Sequence, residues 1–126
     1  MQEPGYYIHI EPGKSFIAGG MYMPEPGNLS KIRQEIDYNG DALEKVLKSK
    51  TFRKWYDGFD DFDKLKTVPK GYPKDHPRLN WLQHRSYIVS HNFTDKEVKD
   101  KKFMKQAIDA CKAMKPLNDS LRQAMD

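Results

Sequence analysis

Proline and glycine mark the clearest interruption of regular secondary structure in this chain. The stretch from Lys66 to Pro77 (KTVPKGYPKDHP) holds three prolines and one glycine in twelve residues. Proline fixes φ and removes a backbone donor, so neither a helix nor a strand can run through this stretch. It separates a first half that opens with strand-like residues from a second half that ends in helix. Because 126 residues is a typical length for one domain, we expect residues 1–126 to form a single domain.

The first segment predicts a β-hairpin. Residues 6–10 (YYIHI) alternate as a half-buried strand does. Residues 11–14 (EPGK) then place proline and glycine as a type II turn requires. Such a turn twists the wrong way for a two-residue hairpin loop, so we expect a longer or bulged connection to the return strand, residues 15–23. Gly19 and Gly20 within that strand predict a bulge, or a close approach of another backbone or a ligand.

Helical spacing of apolar residues predicts two helices after the hairpin. Asn39-Gly40 is a stop signal for the first, and Asp41 is expected to cap the second. A short helix is expected to begin at Thr51. Another is expected to begin at Pro77, with His76 or Asp75 as its cap.

The last third predicts one strand and a long helix. Residues 87–93 (YIVSHNF) have the alternation and composition of a strand. Thr94 and Glu97 form a capping box for the helix, which we expect to end at Lys115-Pro116 before a short terminal helix. Its apolar stripe is predicted to be Met104, Ala107, Ile108, Cys111 and Met114. The fold class is therefore α+β: an N-terminal β-hairpin plus a further strand, packed with about five helices.

Composition excludes several classes of protein. The mean hydropathy of −0.90 and the lack of a long apolar run exclude a membrane span. The single cysteine excludes an internal disulfide framework and fits a reducing compartment. Since the N-terminus has no signal-peptide pattern, we expect a cytoplasmic protein.

The net charge of +4 comes mainly from lysine, which makes up 17 of the 22 basic residues. Proteins that read phosphates or bases rely on the planar fork of arginine. We therefore expect no nucleic-acid partner beyond a weak, sequence-independent contact through the lysine-rich residues 96–105.

The proline-rich loop is the first candidate site. Lys70, Gly71 and Tyr72 offer a cation and a flexible turn, and His76 precedes a predicted helix start, where free amides attract anions. The alternative is a surface loop pinned by prolines, with His76 as a cap. The loop has no GxxxxGK[ST] pattern, which excludes a nucleotide P-loop.

We assign two arginines to the same candidate site as this loop. Arg33 and Arg85 each adjoin apolar residues, and a partly buried arginine needs an anionic partner. That partner is Glu35, Asp37 or Asp75, or it is a ligand. We therefore predict a binding module for a small anionic ligand.

The hairpin is the second candidate site. If its strands pair about the turn, Tyr7, His9, Phe16, Ala18 and Gly20 share one face. Small residues among aromatic ones can form the floor of a pocket for a flat ligand. The alternative is that this face packs against other parts of the protein.

We expect no metal and no cofactor. The four histidines lack the i, i+4 spacing of a helical metal pair, and no second cysteine exists for a thiolate site. The acids between Asp57 and Asp63 lack the EF-hand pattern, and no serine stands in a GxSxG elbow.

Three ordered runs, GYYIHIEPGKSFIAGGMYMPEP, KIRQEIDYNG and PKGYPKDHPRLNWL, carry a family resemblance. Nearly the whole chain resembles the bacterial and fungal domain-of-unknown-function family 2461. Members of that family are longer, with a region rich in Arg, Asp, Lys and Trp before the hairpin. The resemblance thus implies that this chain corresponds to the C-terminal portion of the family domain.

Two expectations follow from that resemblance. The preceding region, or a second copy in a homo-oligomer, would cover the hairpin edge and its aromatic face. An alternative function is the scaffold half of an enzyme whose catalytic residues lie in that region. The family supplies no activity to assign, so whether the chain is part of an enzyme stays open.

Overall fold

One three-stranded antiparallel sheet organises residues 2–126, which are the residues that the computed structural model describes. The strand order is β1-β2-β3, so β2 lies in the middle. The elements in chain order are β1 (Gly5–His9), β2 (Ser15–Met21), α1 (Pro26–Lys48), α2 (Lys50–Arg53), α3 (Leu79–Leu82), β3 (Tyr87–Phe93), α4 (Asp95–Lys99) and α5 (Phe103–Met125). The predicted α+β class is confirmed.

The hairpin forms as the turn chemistry predicts. Gly13 has φ +77°, and the Lys14 N–H donates to the Glu11 carbonyl at 2.9 Å. Five residues join β1 to β2, so the connection is longer than a two-residue loop, as expected. The pairing runs without a break from Gly5↔Gly20 to His9↔Phe16, and the predicted bulge is absent from it.

The other prediction for the glycine pair, a close backbone approach, is correct. A Cβ on Gly20 would lie 2.0 Å from the Tyr87 carbonyl oxygen of β3, and Gly20 also has φ +111°. A Cβ on Gly19 would lie 2.1 Å from Met114 Sδ and 2.5 Å from the Gly5 carbonyl oxygen. These two glycines therefore let β3 and α5 approach the middle strand closely.

The core lies between one face of the sheet and the two long helices. The sheet contributes Ile17, Met21, Tyr87, Val89 and Phe93, α1 contributes Ile32, Ile36, Leu43 and Leu47, and α5 contributes Ala110, Ala113, Met114, Leu117 and Leu121. Alanines on α5 keep its backbone close to β2, since they fill little space between the two. The opposite face of the sheet carries no helix among the described residues.

The predicted break at Asn39-Gly40 is present as a kink. The backbone of Asn39 leaves helical geometry (φ −124°, ψ 31°), and two helical halves meet there within α1, which runs on to Lys48. Both halves bury apolar residues against the same core. The predicted cap at Asp41 is wrong, because its carboxylate pairs with Arg78 instead.

The predicted boundaries of the last helix are also wrong. The capping box of Thr94 and Glu97 exists, but it opens the separate helix α4, which ends at Lys99. The long helix begins only at Phe103 and passes through Pro116 without ending. Leu117 and Leu121 beyond the proline are fully buried, which offsets the loss of one backbone hydrogen bond.

The predicted stripe of this helix is only partly right. Ala107 and Met114 are buried, and Cys111 is half-buried. Met104 and Ile108 are exposed, at 68% and 48%. The inward face of α5 is shifted toward Ala110, Ala113 and Leu117.

No helix within residues 2–126 is both long enough and apolar enough to cross a membrane.

We expect Gly20→Ala to lower the free energy of unfolding by at least about 2 kcal/mol, because the new methyl meets backbone at a strained φ. Gly5→Ala is the matched control: Gly5 pairs with Gly20, and a Cβ there meets nothing within 4 Å. Urea denaturation of both variants measures the difference. Equal stability of the two would contradict the close approach.

Candidate functional site

A row of polar residues on α1 holds the irregular segment that precedes β3. Arg33, Asp37, Asp41 and Glu44 recur at helical spacing along α1. Each contacts a group between residues 76 and 84. We call this row the α1 polar stripe. It positions the loop before α3 and the entry to β3.

Arg33 makes the central contacts of the stripe. Its Nε donates to the Leu82 carbonyl at 2.8 Å, and its Nη2 donates to the His84 carbonyl at 3.1 Å. These carbonyls lie at and just beyond the end of α3, where a cation is favoured. No carboxylate of residues 2–126 lies within 4 Å of the Arg33 guanidinium. For Arg33 the expected partners Glu35, Asp37 and Asp75 are therefore wrong, and this half-buried residue has no carboxylate counter-ion among residues 2–126.

His76 is used within the chain. Its Nδ1 accepts the Arg78 N–H at 3.0 Å, so the proton of the neutral ring resides on Nε2. That nitrogen lies 2.7 Å from Asp37 Oδ1 and donates to it. Only 8% of the side chain is exposed. His76 thus fastens the loop to α1. The predicted helix start at Pro77 with His76 or Asp75 as its cap is wrong, because α3 begins at Leu79 and no side chain caps it.

A cleft of about 450 Å³ lies between α1 and the loop. Its lining includes Ser30, Arg33, Gln34, Asp37, Tyr38, Lys70, Gly71 and Tyr72. The structure therefore brings together four predicted site residues: Arg33, Lys70, Gly71 and Tyr72. Gly71 has φ +95° and makes the turn that places Lys70 and Tyr72 beside Arg33.

The cleft is rich in donors. Within the described residues, Lys70 Nζ and the hydroxyls of Tyr38 and Tyr72 make no hydrogen bond. Burial raises the pKa of Tyr72, and the Asp37 carboxylate raises it further while Arg33 opposes the rise. The Tyr72 phenol is therefore a neutral donor at neutral pH. Such a set of cations and donors can bind an oxyanion.

Arg85 does not join this cleft. It pairs with Asp63 at 2.9 Å and lines a neighbouring hollow of about 240 Å³. Asp63 is in turn held by the Ser86 hydroxyl at 2.8 Å. Leu29 lies between the two hollows and lines both. The anionic partner of Arg85 is thus a carboxylate of its own chain.

The second predicted site is a trough of about 760 Å³ on the open face of the sheet. The strand register confirms that Tyr7, His9, Phe16, Ala18 and Gly20 share this face. Ala18 and Gly20 form the floor, between a Tyr7–Phe16 contact (5.9 Å between centroids) and a Tyr22–Phe62 stack (6.0 Å).

His9 lies beside the trough, not in its lining. Its ring stacks on Phe16 at 5.2 Å, and its Nε2 lies 2.9 Å from Glu11 Oε1.

Sequence reasoning missed half of the cleft. Ser30, Gln34 and Tyr38 were not singled out, and Asp37 was named only as an expected partner of the arginines, yet with Arg33 these residues occupy one helical face of α1. The sequence does contain a pattern that indicates them, because these polar residues recur at spacings of three and four residues along α1. Within residues 2–126, no three His, Cys, Asp or Glu side chains are grouped so that they could hold a metal ion.

Comparison with known proteins places this cleft-bearing α+β fold in a family. Residues 1–119 match the family described as conserved hypothetical protein (DUF2461). Because the match covers nearly the whole chain, the chain belongs to this family, as its sequence resemblance implied. Neither the curated proteins nor the solved structures include a match.

A buried histidine lies next to the stripe. His84, whose carbonyl accepts from Arg33, has a side chain only 2% exposed, and its Nδ1 has no hydrogen-bond partner in the described chain. Burial lowers the pKa of His84, and the Lys64 cation lowers it further, against the opposing effect of Asp61 and Asp63.

We therefore expect stability to fall as the solution is acidified. The unfolded histidine takes up a proton near pH 6.5, whereas the folded one resists it to lower pH, so the folded state is progressively disfavoured below that value. The free energy of unfolding should drop between pH 7.5 and pH 5.5, and less so in His84→Gln. An identical pH dependence for the variant would contradict this origin.

Proposed function

We propose that this protein is a binding module for a small anion, with the ligand in the cleft between α1 and Lys70-Gly71-Tyr72. The observation that carries the proposal is the Arg33 guanidinium. Arg33 is a half-buried residue, its guanidinium donates to two backbone carbonyls, and it has no carboxylate partner within the described residues. A cation removed from water gains most from a bound anion.

The electrostatics of the cleft support an anion over a cation. Arg33 and Lys70 contribute two positive charges, and Asp37 contributes one negative charge. The negative charge is already engaged, since Asp37 accepts from His76. A phosphate or carboxylate could accept from the guanidinium, from Lys70 Nζ and from the Tyr72 hydroxyl.

The size of the cleft also favours a small ligand. A volume of about 450 Å³ lies in the usual range for small-molecule sites, roughly 300–1,000 Å³. The sheet-face trough is larger, but its lining surface is mostly apolar, and Glu3 is the one charged residue that lines it among the described residues. Specific recognition of a small molecule needs several polar groups placed together, which favours the cleft. We also propose a cytoplasmic location, supported by the single free cysteine.

The test is titration of the protein with inorganic phosphate, followed by NMR or calorimetry. Lys70→Ala should weaken binding about tenfold, which corresponds to about 1.4 kcal/mol, the scale of one lost charged contact. Lys66→Ala is the matched control, because Lys66 is an exposed lysine of the same irregular stretch and does not line the cleft.

Two results would contradict the proposal. Equal weakening by both lysine substitutions would indicate a general attraction of a basic protein for anions. Unchanged affinity in Lys70→Ala would place the phosphate elsewhere.

A further inference from the structure

We propose a second binding surface, the free edge of β1, and that it binds an extended polypeptide strand with basic residues at both of its ends. β1 pairs with β2 on one side, and within residues 2–126 nothing pairs with its other side. The Gly5 carbonyl accepts from Asn118 Nδ2 at 3.1 Å. The rest of this edge pairs with no strand of residues 2–126, and sheets recruit extended peptides at such edges.

The edge lacks the usual devices that prevent strand addition. Natural sheets protect their edges with lysine, proline, bulges or a covering element. β1 contains no lysine and no proline, and its pairing with β2 runs unbroken from Gly5 to His9.

Apolar side chains are exposed on both faces of β1. Tyr6 and Ile8 lie on the helix side, opposite Gly19 and Ile17, and are 47% and 46% exposed. Tyr7 lies on the trough side and is 56% exposed. An added strand alternates its own side chains between the two faces, so it would cover all three.

Charge distinguishes the partner from a second copy of this chain. Glu3 and Glu11 flank the edge at its two ends. In the antiparallel register centred on Tyr7, a second copy would set Glu3 against Glu11 at both ends. A parallel register would set each acid against itself, and like charges directly opposite destabilise a strand pair. A strand with Lys or Arg at both ends instead meets two carboxylates, that of Glu3 and that of Glu11, whose Oε1 also lies 2.9 Å from His9 Nε2.

Two matched peptides test this proposal. One is the chain's own segment 2–11, and the other is the same segment carrying Glu3→Lys and Glu11→Lys. They have the same apolar pattern and differ only in their end charges. We expect the lysine peptide to bind at least tenfold more tightly, to shift the β1 amide resonances, and to protect those amides from hydrogen exchange.

Two variants of the protein localise the binding. Ile8→Lys places a charge in the edge and should abolish binding of the lysine peptide. Tyr22→Lys adds the same charge at a 63%-exposed position of the trough, away from β1, and should leave binding intact.

Four outcomes would overturn the proposal. The two peptides could bind equally or not at all, or Ile8→Lys could leave binding unchanged. A protein that is already dimeric, with its β1 amides protected, would show that a second copy occupies the edge.

Discussion

The α1 polar stripe is the set of contacts on which the rest of the structure depends. Residues 66–78 belong to no helix and no ladder of the sheet, so few backbone bonds of their own hold them in place. Side chains of α1 supply what the backbone lacks: Arg33 binds the carbonyls of Leu82 and His84, and Asp37 binds His76. These contacts therefore tie α1 to the segment that leads into β3.

The same contacts create the cleft. The guanidinium that holds two carbonyls cannot move away to a distant carboxylate, so its charge faces a hollow next to Lys70. The other face of the sheet differs from the cleft, because its surface is mostly apolar. There the trough and the edge of β1 are apolar and carry acids only at the strand ends. One chain thus presents two chemically distinct surfaces, for which we propose an oxyanion and an extended strand as ligands.

Local chemistry allowed the strands to be predicted, and tertiary packing explains the errors. The alternation of residues 6–10 and the Pro12-Gly13 turn are signals between neighbouring residues. The hairpin could therefore be predicted from the sequence. Asn39-Gly40 interrupts helical geometry as its local signal indicates, whereas Pro116 is a local stop signal that buried apolar residues on both sides outweigh. The cleft was half predicted, because Lys70-Gly71-Tyr72 is a local signal. The partner of Arg85 depends on a contact distant in sequence, which no local pattern contains.

The most direct measurement of the central claim is the free energy of unfolding of Arg33→Met. Methionine keeps a long apolar side chain on α1 but leaves two carbonyls without their charged donor. We expect a loss of about 2–4 kcal/mol. Lys45→Met, an exposed lysine of the same helix, should change stability by no more than about 0.5 kcal/mol. An Arg33→Met protein as stable as Lys45→Met would show that the stripe does not hold this fold together.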